Sequence, residues 1–242
     1  MQSYNLHMQP AWIADCVASV SAWAGQHGYE HRTLDDVFFE RYVPAWYLAK
    51  VDGRLPIAAD FGRLAWIAEV HRDENYDVVL WLDADTLIVA PDLLTIELTG
   101  DHQFGREAWL QEVDGRLRVY RSVHNAYCAF QAGSPVLSFL LFAIERMMRR
   151  VDSAHIAPQF VGPKLLTHLH NTVGFQLEPR FGAISPDLAR AVREDDAAVL
   201  ARWRQEREAP LLAANLSASV VDPQGDAGAR LVAELTQLED GL

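Results

Sequence analysis

Asp83 and Asp85 stand near the end of an apolar run, within "YDVVLWLDADTLIV" at 76–89. Burying an unpaired carboxylate is costly, so the placement calls for a partner. Residues two apart on a strand point to one side, roughly 6.5 Å apart. If the strand continues through the pair, both carboxylates share a face and repel each other unless a cation lies with them. Carboxylate oxygens suit Mg²⁺ or Mn²⁺, ions that keep waters and also accept phosphate oxygens. The pattern points to a metal held for a phosphorylated ligand. The matching chemistry is group transfer from a nucleoside diphosphate, with the metal stabilising the diphosphate as it leaves. A bare Asp-x-Asp is expected by chance at this aspartate content, so the apolar strand before it carries the weight. Read as residues alone, the pair also fits a solvated turn or a helix cap.

The elements that must position the pair follow from hydrophobic spacing. "PAWIADCVASVSAWAGQHG" (10–28) places Trp12, Val17, Val20 and Trp23 on one helical face. "YEHRTL" reads as a short strand, and "DDVFFERYVPAWYLAK" as a helix broken before Pro44. Residues 56–73 open on Pro and carry Ile57, Leu64, Ile67 and Val70 at helical spacing. This alternation predicts an α/β fold with a mainly parallel sheet flanked by helices. "DVVLWL" is apolar enough for a strand covered on both faces, and the C-terminal ends of such strands line the ligand crevice. Beyond residue 90 the pattern changes, and the second half reads as irregular α+β. It has a hairpin over 110–122 turning at Asp114-Gly115 and helices over 134–151 and 162–171. "FQLEPRFGAIS" reads as extended, "PDLARAVREDDAAVLARWRQERE" as one polar helix, and a last helix begins near Asp226. The whole, 1–242, reads as a single domain.

Composition narrows the partners. The chain has 242 residues and a formal net charge of −12, which argues against nucleic acid, since phosphate binding needs clustered Lys and Arg. The one dense basic run, "RMMRR" at 146–150, reads as the solvated end of a helix. Cys16 and Cys128 are too few for a disulfide framework or a zinc site and read as buried thiols. No leader pattern is visible, and the longest apolar run, "VLSFLLFAI", is far shorter than a membrane span. The expectation is a cytoplasmic protein without a transmembrane segment.

Several motifs in order resemble the GT-A-fold glycosyltransferases that carry a DXD sugar-binding region. That branch includes fungal initiating mannosyltransferases and bacterial capsule and lipopolysaccharide enzymes. "QSYN" (2–5) followed by Pro10-Ala11-Trp12 is similar to the family's opening, which implies that Ser3 and Tyr4 touch the nucleotide. Fewer strand residues precede it here than in the family. "IAADFGRLAWI" (57–67) resembles the Ser-Asp-x-x-Arg helix, with Ala59 in place of Ser. The resemblance gives Asp60 the sugar hydroxyls and Arg63 the sugar or diphosphate, a contact that suits a guanidinium. The same two residues, one helical turn apart, also read as a surface ion pair. Asp83 and Asp85 fall on the family's two metal-binding acids. "HNAYCAFQAGSPVLSFLL" (124–141) resembles a segment whose Asn reaches donor or acceptor sugar, so Asn125 is a candidate, though it equally reads as closing a turn. "VGPKLLTHLH" (161–170) resembles a Gly-Pro-x-x-Leu-Thr segment, where Gly162 permits close approach and Pro163 starts a helix beside the site. His168 and His170 fall on different helix faces, which does not suit chelation of one metal. "ANLSAS" (214–219) stands where the family's closing loop lies, with Asn215 and Ser217 as contacts, although the family's nearby tryptophan is missing.

The resemblance implies a metal-dependent, retaining hexosyltransferase of polysaccharide biosynthesis. Its donor would be a nucleotide-diphosphate sugar and its acceptor a saccharide or glycolipid. Residues 1–100 would bind the donor and 101–242 the acceptor, with Arg63, Asp83 and Asp85 at the catalytic centre. Two rivals remain open. A haloacid-dehalogenase-type phosphatase also places two aspartates after an apolar strand, but Thr86 comes one position too early for it. A sugar-binding or scaffold protein without activity would account for the short opening and the missing tryptophan.

Overall fold

The computed structural model describes residues 1–5, 10–218, 226–237 and 241–242. The chain opens with a short strand β1 (Gln2–Ser3) and helix α1 (Ala11–Gln26), then β2 (Thr33–Leu34). Helices α2 (Val37–Tyr42) and α3 (Ala45–Val51) are divided by extended Val43 and by Pro44, as the residue before a proline is disfavoured in helix. Helix α4 (Leu55–Asp73) has Pro56 in its first turn, where the missing N–H is no loss. It leads into β3 (Val78–Leu82) and β4 (Thr86–Ile88). A long hairpin, β5 (His102–Val113) and β6 (Arg116–Gln131), turns through Asp114 and Gly115, both at positive φ as a two-residue hairpin loop requires. There follow α5 (Pro135–Arg150), α6 (Pro163–Val173), β7 (Leu177–Glu178), β8 (Phe181–Ala183), α7 (Pro186–Arg193), α8 (Ala197–Glu206), β9 (Ala213–Asn215) and α9 (Asp226–Leu235).

The fold is mixed α/β, and its sheets are not mainly parallel. β1 and β2 pair in parallel, and Met1 extends this arrangement to β3 through Met1 N to Leu80 O (2.8 Å) and Leu82 N to Met1 O (3.0 Å). On its other side β3 meets β6 antiparallel, β6 meets β5 antiparallel, and only β7 restores a parallel pair. A second sheet runs β4-β9-β8, antiparallel then parallel. The reason is the hairpin, whose second arm enters beside β3 where a crossover strand was expected.

The apolar run of β3 reported its burial correctly and its neighbour's direction not at all. Val79 and Trp81 face a core built on α4, with Phe38, Trp66 and Ile67. Leu80 and Leu82 face α1, with Val20 and Trp23. Helices therefore cover both faces although the adjacent strand is antiparallel.

Two further expectations change. The hairpin runs 102–131 rather than 110–122, because its inner part enters the sheet beside β3, where Val123 to Phe130 are buried without alternation. The polar helix expected over 186–208 is two helices. Asp195 takes φ 50°, and the Asp196 carboxylate caps the N–H groups of Ala198 and Val199.

The hairpin carries one irregularity that matters later. Phe104 pairs with Cys128 but Gly105 pairs with His124, so Asn125, Ala126 and Tyr127 bulge out of the β5–β6 ladder. A side chain at position 105 would overlap the His124 ring, whose Nε2 lies 3.0 Å from the Phe181 carbonyl oxygen. Gly105→Ala is expected to destabilise the fold by about 1–3 kcal/mol, the usual cost of overpacking, read by urea unfolding. An unchanged midpoint would show that the bulge is not held this way.

Candidate functional site

Asp83 closes β3 and Asp85 precedes β4, but the strand does not continue through them. Thr86 N donates to Asp83 O at 3.0 Å, so Asp83-Ala84-Asp85-Thr86 is a tight turn. The shared strand face expected for the two acids is therefore replaced by a turn at the junction of the two sheets. The acids remain neighbours, and each is held by a different wall.

Asp83 is bound on the α4 side. Its Oδ1 pairs with Arg63 Nη1 at 2.9 Å and accepts from Trp81 Nε1 at 2.6 Å. Its backbone N–H donates to the Ala126 carbonyl in the bulge (2.8 Å), and its carbonyl accepts from the buried Gln2 side chain (3.2 Å). Asp85 is bound on the β9 side. Asn215 Nδ2 donates to its Oδ1 at 2.6 Å, and the Ala218 backbone N–H to its Oδ2 at 2.8 Å. Asn215 Oδ1 in turn accepts from the N–H of Ser217, which sits at φ 51°. Burial, then the charge of Asp83, pushes the Asp85 carboxyl up to about 6, against the pull of its two donors.

Arg63 is 4% exposed. Besides Asp83, its guanidinium donates to the Asn125 carbonyl and, through Nε, to Ala59 O (3.1 Å), and it faces Asp60 Oδ1 at 3.5 Å. The guanidinium carbon lies 5.3 Å from the centre of the Trp81 ring. Asp60 is 6% exposed and accepts from Asn125 Nδ2 at 2.8 Å. Burial pushes Asp60 up to about 6, opposed by Arg63 and Asn125. The surface ion pair that these two residues also suggested is thus a buried one. Gly162, at the start of α6, lies so close that a side chain there would overlap the Asp60 carboxylate. Close approach was expected of Gly162, and its partner is a protein carboxylate. Pro163 begins α6, and Thr167 ties that helix to β6 through the Val123 N–H (3.0 Å).

The remaining candidates are spread out. Ser3 Oγ lies 3.5 Å from the Asp35 carbonyl, and Tyr4 packs on the apolar cluster that includes Trp12 and Leu216. His168 is exposed, while His170 Nδ1 accepts from Phe175 N beyond the end of α6 (2.9 Å). Cys128 is buried behind the site, and burial pushes its thiol up to about 12. Burial also raises the Cys16 thiol. Ser219, the last residue of "ANLSAS", lies outside the described residues. A cleft lined by Trp23, Tyr29, Leu80 and Leu82 lies between α1 and β3, apart from these residues.

Trp81 and Gln2 are site residues that the sequence reading passed over. Trp81 carried a usable signal, since it lies two before Asp83 on the same strand face. Gln2 stands in the "QSYN" opening, but its bond to Asp83 joins residues 81 positions apart and could not be read from that motif.

The donor set suits a hard divalent cation. Two carboxylates sit next to each other with oxygen donors only, and the charge of one raises the proton affinity of the other. Three carboxylates against one guanidinium leave two negative charges. Among the described residues there is no cluster of three His, Cys, Asp or Glu that could hold a metal ion. No helix among the described residues is long and apolar enough to cross a membrane.

No protein-family model matches the sequence, and no curated protein matches it. Among solved structures the chain aligns with a glycosyltransferase involved in the glycosylation of the major capsid of PBCV-1. The alignment covers 98% of each chain at 10% identity with a TM-score of 0.47. A likeness that distant carries no argument about either fold or chemistry.

The raised Asp85 carboxyl gives a signed expectation. A folded-state value above the unfolded one means the folded chain binds the extra proton, so the contribution of Asp85 to stability falls as pH rises from about 4 to about 6. With chelator present, wild type should lose on the order of 1 kcal/mol relative to Asp85→Asn across that window, followed by urea unfolding. A parallel pH dependence in the two proteins would contradict it.

Proposed function

We propose that this chain is a metal-dependent glycosyltransferase that moves a hexose from a nucleotide-diphosphate sugar to a hydroxyl of a saccharide or glycolipid, with retention at the transferred carbon. The observation that carries the reading is the pair Asp83 and Asp85. They are presented together in a turn at the C-terminal end of β3, and each carboxylate is oriented by its own hydrogen-bond set. Such a pair is suited to Mn²⁺ or Mg²⁺, which when bound would neutralise the diphosphate and act as a Lewis acid on it.

The other residues then take definite tasks. Trp81 and Arg63 hold Asp83 Oδ1 and leave Oδ2 for the ligand. Asn215 holds Asp85 Oδ1 and the Ala218 N–H holds its Oδ2, so a ligand at Asp85 would use the remaining lone pairs of oxygens that are already oriented. Arg63 has most of its donors on protein acceptors, so in this proposal it positions Asp83 and Asn125 and lends its charge to the donor through them. Asp60, tied to Asn125 and Gly162, sets the floor against which a sugar hydroxyl would bind. Gly162 and Pro163 bring the N-terminus of α6 to that floor, and Ser217 shapes the opposite rim. Ser3 and Tyr4, carried by β1 beside β3, would flank the nucleotide. Residues 1–100 would thus serve the donor and 101–242 the acceptor. Preorganised charges and fixed geometry would supply most of the acceleration.

A phosphatase that uses Asp83 as nucleophile is disfavoured by the same contacts. The guanidinium and indole on Oδ1 draw charge from the Asp83 carboxylate, and Thr86, which directly follows Asp85, is 2% exposed with its hydroxyl turned inward.

Calorimetric titration of UDP and GDP, with Mn²⁺ and with excess chelator, tests the reading. Metal-dependent binding of one nucleotide is expected, and Asp83→Ala/Asp85→Ala should abolish it. Trp81→Phe keeps the ring and removes the bond to Asp83, and should weaken metal affinity about 10-fold, the effect typical of a lost outer-shell partner. Nucleotide binding that ignores chelator, or phosphate release from small phosphate esters, would refute the proposal.

A further inference from the structure

The outward face of α5 has a composition unlike the rest of the chain. Leu137, Leu140, Ile144 and Met148 fix one side of the helix in the core. On the other side Phe139 and Phe142 are 49% and 62% exposed, and Arg146, Arg149 and Arg150 continue the same line of exposed residues. Their spacing, three or four residues at each step, makes one continuous stripe. Arg146 lies over the Phe142 ring at 5.7 Å. Arg149 lies over Trp46 at 4.3 Å and bonds Glu145 at 2.7 Å. Among the described residues Arg146 and Arg150 have no carboxylate within 4.0 Å. A chain with a net charge of −12 therefore carries a helix face of aromatic rings and uncompensated guanidinium groups.

From this face we infer that α5 docks on an anionic lipid bilayer surface. A bilayer interface presents anionic oxygens above hydrocarbon, the same two chemistries in the same order that the stripe presents. The phenylalanines would enter the acyl boundary and the arginines would pair with headgroup phosphates. The acidic remainder of the molecule does not cancel this attraction, because charges more than about 8 Å away are screened at physiological salt. Glu145 neutralises one of the three arginines, and Asp152 lies just past the helix. The surplus is thus small, and the aromatic pair must contribute part of the affinity. The core face of α5 stays buried, so only side chains insert, and binding would be reversible. Arg54, which leads into α4, donates to the carbonyls of Ser153 and Ile156 just beyond α5. The basic end of α5 therefore lies at the end of α4 that carries Asp60 and Arg63. The inference stands on this face alone and does not rest on the glycosyl-transfer reading.

Co-sedimentation of the full chain with vesicles tests it. Vesicles of phosphatidylcholine alone are compared with vesicles containing added phosphatidylserine, at low and high salt. Binding only to the anionic vesicles, lost at high salt, is expected. Arg146→Ala and Arg150→Ala should each weaken it about fivefold, the worth of one arginine near such a surface. Phe139→Ser/Phe142→Ser should weaken it at unchanged thermal midpoint, since both rings are exposed. Equal binding to both vesicle types, no binding, or variants that bind as wild type would overturn the inference. So would a concentration-dependent dimer that the phenylalanine variant lacks, which would assign the face to a second copy. A gel shift with nucleic acid that the arginine variants lose would overturn it as well.

Discussion

The buried guanidinium of Arg63 is the constraint from which the site follows. A charge removed from water needs nearly complete compensation, or its desolvation outweighs what its partners return. Here the partners come from four places in the chain: Ala59 and Asp60 on its own helix, Asp83 at the end of β3, Asn125 in the bulge of β6, and the Trp81 ring beneath it. To satisfy one side chain, α4, β3 and β6 must meet in one register. The acids that result are not free surface charges but fixed points, each with its oxygens already oriented. That is the condition for an electrostatic site that needs little rearrangement when a charged ligand arrives.

The second organising feature is the turn between the two sheets. β3 belongs to one sheet and β4 to the other, and the chain passes between them through Asp83 and Asp85. Asp83 therefore reports to the wall of α4 and β6, while Asp85 reports to β9 and the segment that follows it. The bulge of β6 serves the same end. By leaving the ladder at Asn125, Ala126 and Tyr127, it frees one carbonyl for Arg63 and another for the backbone of Asp83. Bulges beside functional sites commonly redirect groups in this manner.

Much of this was legible in the residues. Helical spacing located α1, α4 and α5, Pro44 divided α2 from α3, and Asp114-Gly115 marked the hairpin turn. The pairing directions were not legible, because an apolar strand records that both faces are covered and nothing about its neighbours. Asp195 and Asp196 read as one more helical turn, since neither a left-handed residue nor a cap differs in composition from an exposed helix surface. In the site, Asp60, Arg63, Asp83, Asp85, Asn125, Gly162 and Asn215 do converge. Their partners could not be deduced, because those contacts are long-range and partly with backbone. Close backbone approach was legible at Gly162, but not that its neighbour is the Asp60 carboxylate. The resemblance gives Arg63 a contact with the sugar or diphosphate, and in the structure its guanidinium is enclosed by Ala59, Asp60, Asp83 and Asn125.

The turn from Asp83 to Thr86 has a consequence for how the chain can change. The bond from Thr86 N–H to Asp83 O fixes the length of this turn, so one residue added or lost between Leu82 and Thr86 would break it and change the spacing of the two acids. Leu87 and Ile88 pack into different apolar clusters, and pairing with β9 holds β4 in place on the far side of the turn. Ala84 is half-buried against the cluster that contains Trp12 and Leu87. Across homologous chains, both the spacing at this point and a small residue at 84 should therefore be held. The long hairpin tip around Asp114 is the natural place for insertions to accumulate.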